Sequence, residues 1–215
     1  MEQKQPKRFT LLPVPATETV ERCVECLQAQ QQIICSNVSK QYKPIHPKLE
    51  LQLSKFIMRD PTFVGDLNKG ILLVGSQGVG KTILMKAFCN LLSLVHFQVK
   101  QIDALDIQKA YRRGGDNIAA MEDMISDSPL VLLDDISEEV DIANNYGTKV
   151  YVGYEVLSYR HKGWFDKGFL TFATSNANLE MLGNKYGARI SSRLEELFNV
   201  FNAEGEDLRR KPHTL

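Results

Sequence analysis

No stretch of this sequence approaches the roughly 18 consecutive apolar residues that a membrane-spanning helix needs. Residues 1–8 are polar and basic with no apolar run behind them, so no secretory leader and no membrane association are expected, and the chain is read as cytoplasmic. Net charge is also lacking, because 26 lysines and arginines face 26 aspartates and glutamates. Any contact with nucleic acid must then come from a local basic patch. Cysteine is scarce, at four residues. Cys23, Cys26 and Cys35 with His46 allow one metal reading, as a zinc site. A plainer one places Cys23 with Val20, Val24 and Leu27 on one helix face and Cys89 in the core. Neither an internal repeat nor a low-complexity segment is found. What remains is 215 residues, 43% of them hydrophobic, enough for one globular domain and a small appendage.

The chain does contain an abrupt change of chemistry after an apolar run. Ile71, Leu72, Leu73 and Val74 lead into Gly75, Ser76, Gln77, Gly78, Val79, Gly80, Lys81 and Thr82, which meets the spacing G-x-x-x-x-G-K-[ST]. Glycines permit positive φ and let several backbone N–H groups approach one anion with no Cβ in the way. Downstream, Ile83, Leu84, Ala87, Phe88, Leu91 and Leu92 recur at helical spacing. A helix N-terminus therefore adds its unpaired N–H groups at the same place. The stretch is read as a phosphate-binding loop for ATP, with Lys81 reaching the β- and γ-phosphates and Thr82 offering a hydroxyl to Mg2+.

Around it the pattern alternates between strand and helix. Three prolines in residues 1–15 predict a flexible lead-in, and Thr17 is read as the cap of a helix running to residue 34. Leu49, Leu53, Phe56 and Ile57 predict an amphipathic helix over 48–59. A strand is expected at 97–102, a helix at 104–113 ended by Gly114 and Gly115, and another marked by Ile118, Met121 and Ile125. Leu130 to Leu133 is apolar on both faces, as suits a central parallel strand, and ends in Asp134 and Asp135. Residues 148–162 are helical by pattern, with Val152, Val156 and Tyr159 on one side. A strand over 169–174 delivers Thr174, Ser175 and Asn176, a helix follows at 188–198, and 197–201 can form a fifth strand. The charged tail, 205–215, is expected to be exposed.

Phosphoryl transfer to water needs a phosphate cradle, a Mg2+ ligand, a group that orients the water and a positive charge for the transition state. Asp134, at the end of its strand, suits the metal, and Asp135 beside it suits the water. Asn176 can bond the γ-phosphate or the water, although Thr-Ser-Asn is also turn chemistry. Arg189 and Arg193, four apart on one helix, point the same way.

These motifs, in this order, resemble the AAA+ ATPases of the DnaC/IstB type, which load replicative helicases or assist transposases. The resemblance spans about residues 65–210 and includes the run from Tyr186 to Leu194, Asn145-Tyr146-Gly147, the segment from Glu155 to Arg160, and Gly205-Glu206-Asp207-Leu208-Arg209. It implies an α/β fold of three layers, the P-loop NTPase fold. The central parallel sheet would have the order 5-1-4-3-2, with a short N-terminal helical arm (1–45) before the ATPase domain (46–215) and no C-terminal lid domain. It further implies ATP in residues 75–82, Mg2+ on Thr82 and Asp134, water activation by Asp135, Asn176 as sensor, and Arg193 as a finger reaching a neighbouring subunit with Arg189 in support. Asp135 stands where AAA+ proteins commonly carry glutamate, so slow hydrolysis is expected, stimulated by oligomerisation or DNA.

The implied partners are a replicative helicase or a transposase, recruited through residues 1–45, together with single-stranded DNA and further copies of the chain. For DNA, Arg112 and Arg113 beside Tyr111 are candidates, against the alternative that they serve their own helix C-terminus. A small P-loop kinase and a nucleotide-gated binding protein stand as readings of another class.

Overall fold

Three strands, β1 (Gly70–Val74), β3 (Leu130–Asp134) and β6 (Leu170–Ser175), are buried at every position in the computed structural model of the chain. Strands without a solvent face belong in a sheet covered on both sides, and such sheets are parallel. The structure describes residues 9, 11, 19–38, 42–44, 46–113, 123, 125, 127–137, 143–145, 148–150 and 152–208. Within them β2 (Lys100–Asp103) and β7 (Phe198–Asn202) complete a five-stranded parallel sheet in the order β2-β3-β6-β1-β7. Numbered within this sheet alone, that is the expected order 5-1-4-3-2 read from the other edge. β6 lies between β1 and β3, with Leu73 opposite Thr174 and Leu133 opposite Ala173. The C-terminal ends of all three strands therefore meet at the middle of one edge.

Alternate residues of each strand feed two separate cores. Leu72, Val74, Val131, Leu133 and Ala173 pack against α4 (Ala104–Arg113), α5 (Val152–Lys167), α6 (Leu179–Tyr186) and α7 (Ala188–Leu197) through residues such as Ile107, Leu157, Leu182 and Ile190. Ile71, Leu73, Leu130, Leu132 and Phe172 pack against α1 (Val20–Asn37), α2 (Pro47–Met58) and α3 (Lys81–Leu94). Phe56 anchors this second core, with the rings of Phe63, Phe88 and Phe172 at centroid distances of 5.4, 6.0 and 6.0 Å. No described helix is long and apolar enough to cross a membrane.

Several local expectations are corrected. Thr19, not Thr17, caps α1, its hydroxyl accepting from the Arg22 N–H at 3.2 Å. The proline-rich lead-in is anchored at its described residues: Leu11 is buried, and the Phe9 N–H donates to the Lys167 carbonyl at 2.6 Å. Residues 148–150 form a strand, not the start of a helix: β4 (Ala143–Asn145) and β5 (Thr148–Val150) pair antiparallel. Two residues of sequence, one a glycine, join the paired Asn145 and Thr148, the shortest common hairpin connection. The helix expected around Ile118 and Met121, and the turn at Gly114 and Gly115, lie outside the described residues. The tail is exposed at 204–206, yet the Leu208 N–H returns to the phosphate loop at the Gly78 carbonyl, 3.1 Å away.

On α5 the expected apolar face is wrong by one residue. Tyr159 is exposed, whereas Arg160 is fully buried beside Val156 and Leu157. Its guanidinium donates to Thr171 Oγ1 at 2.8 Å and to the carbonyls of Ile125, Ser128 and Leu170 at 2.6, 2.7 and 2.8 Å. Burial pulls its pKa down to about 9. A buried cation is costly unless its donors are met, and these acceptors meet them while fastening the approach to β3 onto β6. Arg160→Met should leave those carbonyls unpaired and lower stability by about 3 kcal/mol in guanidinium unfolding; a loss below about 0.5 kcal/mol, the usual surface effect, would show that the fastening is dispensable.

Candidate active site

The phosphate loop forms where β1 ends and α3 begins. Gly78 and Gly80 have φ of 85° and 90°, a region that residues with a Cβ rarely enter, which explains glycine at both positions. Gly80 is the N-cap of α3 and no side chain caps the helix. The first N–H groups of α3 thus face the loop's concavity, the arrangement that binds phosphate at helix N-termini. Lys81 is buried, and its Nζ donates to the carbonyls of Gly75 and Ser76 at 2.8 Å each and to Asn176 Oδ1 at 2.7 Å. The outer wall of the loop is braced from two sides. His46 Nε2 lies 2.6 Å from the Val79 carbonyl, which can only accept, so this nitrogen carries the proton. On the other side, the Asp207 carboxylate occupies the space a side chain at Gly78 would need.

Asp134 is buried at the end of β3. Its Oδ1 accepts from the hydroxyls of Thr82 at 3.0 Å and Thr174 at 2.6 Å, and its Oδ2 lies 3.3 Å from Lys86 Nζ. The Thr174 hydroxyl in turn accepts from the Asp135 N–H at 2.9 Å. Asp135 is left-handed, at φ 62°, a conformation aspartate tolerates better than most residues. Its carboxylate accepts from Asn176 Nδ2 at 3.1 Å and from the Ser137 hydroxyl at 3.4 Å. The loop that follows is pinned to α6, where the Tyr186 hydroxyl donates to the Ile136 carbonyl at 2.6 Å and Lys185 Nζ to that of Ser137 at 3.0 Å. A continuous hydrogen-bonded path thus runs from Lys81 through Asn176 to Asp135.

The structure brings together all the nominated residues of the loop with Asp134, Asp135 and Asn176. It treats the two arginines differently: Arg189 is exposed, and Arg193 donates from Nη1 to Ser158 Oγ on α5 at 2.6 Å. Arg112 and Arg113 belong to α4, but their side chains lie outside the described residues, as does Arg209. The residues of the zinc reading do not converge, since Cys23 and Cys35 are buried on α1 while His46 holds the phosphate loop. Burial pushes the Cys89 thiol well up, with the nearby Asp134 charge acting in the same direction. Four contributors are not evident from sequence: Thr174 as a hydroxyl that donates to one acid and accepts from the backbone of the other, Lys86, His46 as a brace, and Ser137. For Lys86 there is a signal, because it follows Thr82 by four residues on one helix.

A phosphate cradle at a helix N-terminus, a lysine over it and a paired acid on the second strand away define a P-loop nucleoside triphosphatase site. Oxygen donors of the hard type, the Thr82 hydroxyl and the Asp134 carboxylate, already touch and suit Mg2+. Comparison with known proteins makes the class narrower. Residues 71–150 match the AAA family, described as the ATPase family associated with various cellular activities. Sequence comparison with curated proteins finds no match. Among solved structures, a DnaI structure is similar at TM-score 0.61 and 24% identity, over 86% of this chain and 93% of that one. A DnaC helicase loader is similar at TM-score 0.56 and 21% identity, over 77% and 94%. A replication initiator DnaA, bound to AMPPCP and single-stranded DNA, is similar at TM-score 0.57 and 18% identity, over 77% of this chain and 48% of that one. The chain shares its fold with these DnaI and DnaC structures, and residues 71–150 carry the AAA family match.

The Thr174 hydroxyl serves two acids at once, which yields a direct test. Thr174→Val should cost about 1–3 kcal/mol in urea unfolding, and Thr174→Ser less than about 1 kcal/mol. Equal losses in the two variants would mean that packing, not the hydroxyl, holds the strand ends together.

Proposed function

We propose that the chain is an ATPase of DNA replication that loads a replicative helicase onto single-stranded DNA, with ATP bound between subunits. The observation that carries the ATPase part is the path Lys81–Asn176–Asp135 beside the contact of Thr82 with Asp134. The helicase part draws its support from the likeness to DnaI and to the DnaC helicase loader over nearly the whole of both those chains.

In this reading residues 75–82 hold the triphosphate, and Thr82 and Asp134 hold Mg2+, which neutralises charge on the β- and γ-phosphates when bound. Lys81 exchanges the carbonyls of Gly75 and Ser76 for phosphate oxygens. Asn176, already bonded to both Lys81 and Asp135, reports the γ-phosphate to the acid. Asp135 takes a proton from water as the water oxygen attacks the γ-phosphorus and the bond to the bridging oxygen breaks. Its side chain is one methylene shorter than glutamate, so turnover is slow. Arg193 leaves Ser158 to serve the nucleotide of a neighbouring subunit, with Arg189 in support. Residues 1–45 recruit the client, and Arg112 and Arg113 hold DNA phosphates.

ATP hydrolysis per subunit should rise with protein concentration and respond to single-stranded DNA, and Arg193→Ala should lower it by at least about tenfold. Activity flat with concentration and indifferent to Arg193 would mean a self-contained site, as in a small kinase. Replacing Arg112 and Arg113 together by alanine should weaken single-strand binding and reduce the slope of log K against log salt by about 1.4; an unchanged slope removes them from the DNA path. A pull-down with the whole chain as bait should recover a replicative helicase, and recovery of a transposase would redirect the proposal.

A further inference from the structure

Lys86 has no part in the function just proposed, yet it stands against the residue assigned to the metal. Its Nζ lies 3.3 Å from Asp134 Oδ2. The hydroxyls of Thr82 and Thr174 both bond Oδ1, so Lys86 meets the other oxygen of the same carboxylate. Helix geometry makes the meeting natural: Thr82 and Lys86, four apart on α3, rise from one face toward the end of β3. The two side chains are not equally committed. That of Lys86 is 41% exposed and that of Asp134 is 8% exposed. An ammonium on a flexible four-carbon stem can swing into solvent, whereas the carboxylate is held by two hydroxyls and cannot follow.

We infer that Lys86 is a tethered counter-cation that competes with the divalent cation for Asp134 and so raises the Mg2+ concentration at which the site fills. The inference rests on the reading of Thr82 and Asp134 as the metal ligands. An ammonium and a divalent cation that share one carboxylate repel each other, so each would weaken the other's hold on it. Lys86 is 41% exposed although Asp134 is buried, which makes the hold of Lys86 weak enough to be displaced and strong enough to shift a binding curve. Lys86 is a positioning residue in this account: it keeps the buried charge of Asp134 satisfied and touches no reacting atom.

The probe is Mn2+, titrated into the full chain and followed by the EPR signal of the free ion, alone and with AMPPCP. The proteins are the wild type, Lys86→Met, Lys86→Gln and Lys86→Arg, each checked by its thermal unfolding midpoint. Met and Gln variants should bind Mn2+ about three- to fivefold more tightly than the wild type, and the Arg variant should resemble the wild type. AMPPCP binding in EDTA should be alike in all four to within about threefold. Unchanged Mn2+ affinity in both neutral variants, with AMPPCP bound normally, overturns the inference and leaves the ATPase reading standing. Weaker Mn2+ binding also overturns it, since Lys86 would then be helping to orient Asp134 for the metal. If the wild type binds no AMPPCP, the ATPase reading fails and this inference falls with it.

Discussion

A carboxylate buried at the end of an apolar strand is a charge taken out of water, and it persists only where donors face it. Asp134 is in that position, and the surrounding structure can be derived from meeting its demand. One hydroxyl comes from Thr82 on the helix that follows the phosphate loop, a second from Thr174 on the neighbouring strand, and an ammonium from Lys86. The sheet order is what allows this. With β6 between β1 and β3, the strand carrying Thr174 touches both the strand that delivers the loop and the strand that delivers the acid. Having donated to Asp134, the same hydroxyl accepts from the Asp135 N–H, which holds Asp135 in its left-handed turn with its carboxylate on Asn176.

The N-terminal helices bear on the same loop from behind. Glu50 of α2 is fully buried and accepts from Gln28 and Gln31 of α1 at 2.8 and 2.9 Å and from the Tyr42 hydroxyl at 3.2 Å. Neutral donors satisfy this carboxylate, and the tyrosine is pushed well up in pKa, first by its own burial and then by the Glu50 charge. One turn earlier, at the N-cap of the same helix, His46 holds the Val79 carbonyl of the phosphate loop. α2 therefore grips α1 with one residue and the loop with another. One helix thus touches both α1, in the region proposed to recruit the client, and the phosphate loop.

What can be read from sequence follows from how local each feature is. The phosphate loop is eight consecutive residues whose spacing can be read without any distant partner, and the strands leading to Asp134 and to Asn176 are apolar runs with plain ends. Their sheet order comes from the family resemblance, because periodicity says nothing about which strands are neighbours. Arg160 is hidden from such a reading because a charge in a helical pattern looks solvent-facing, and only the folded chain collects enough carbonyls around one point to hold it. Lys86 is similar: the spacing from Thr82 is visible, but the carboxylate it meets lies 48 residues on. The hairpin at 143–150 leaves no trace because strands of three residues are too short to show a period of two.

Three cations of this chain share a further property. Lys81 is held by two loop carbonyls and an amide oxygen, Lys86 by a carboxylate across 3.3 Å, and Arg193 by a serine hydroxyl at 2.6 Å. A bond from a charged donor to a neutral acceptor contributes about 1.5–3 kcal/mol, so each of these holds is appreciable. A triphosphate presents several negative oxygens, which set full charge against full charge where the carbonyls, the amide and the hydroxyl offer only dipoles. Lys81 and Arg193 can therefore leave these acceptors where phosphate oxygens take their place. The difference lies in where each goes: Lys81 has only to turn from carbonyl to phosphate within the loop, whereas Arg193 is proposed to turn toward a second copy. The Ser158 contact keeps the charge of Arg193 satisfied in the single subunit, and in the proposed function that charge is committed only when a neighbour brings a nucleotide to it.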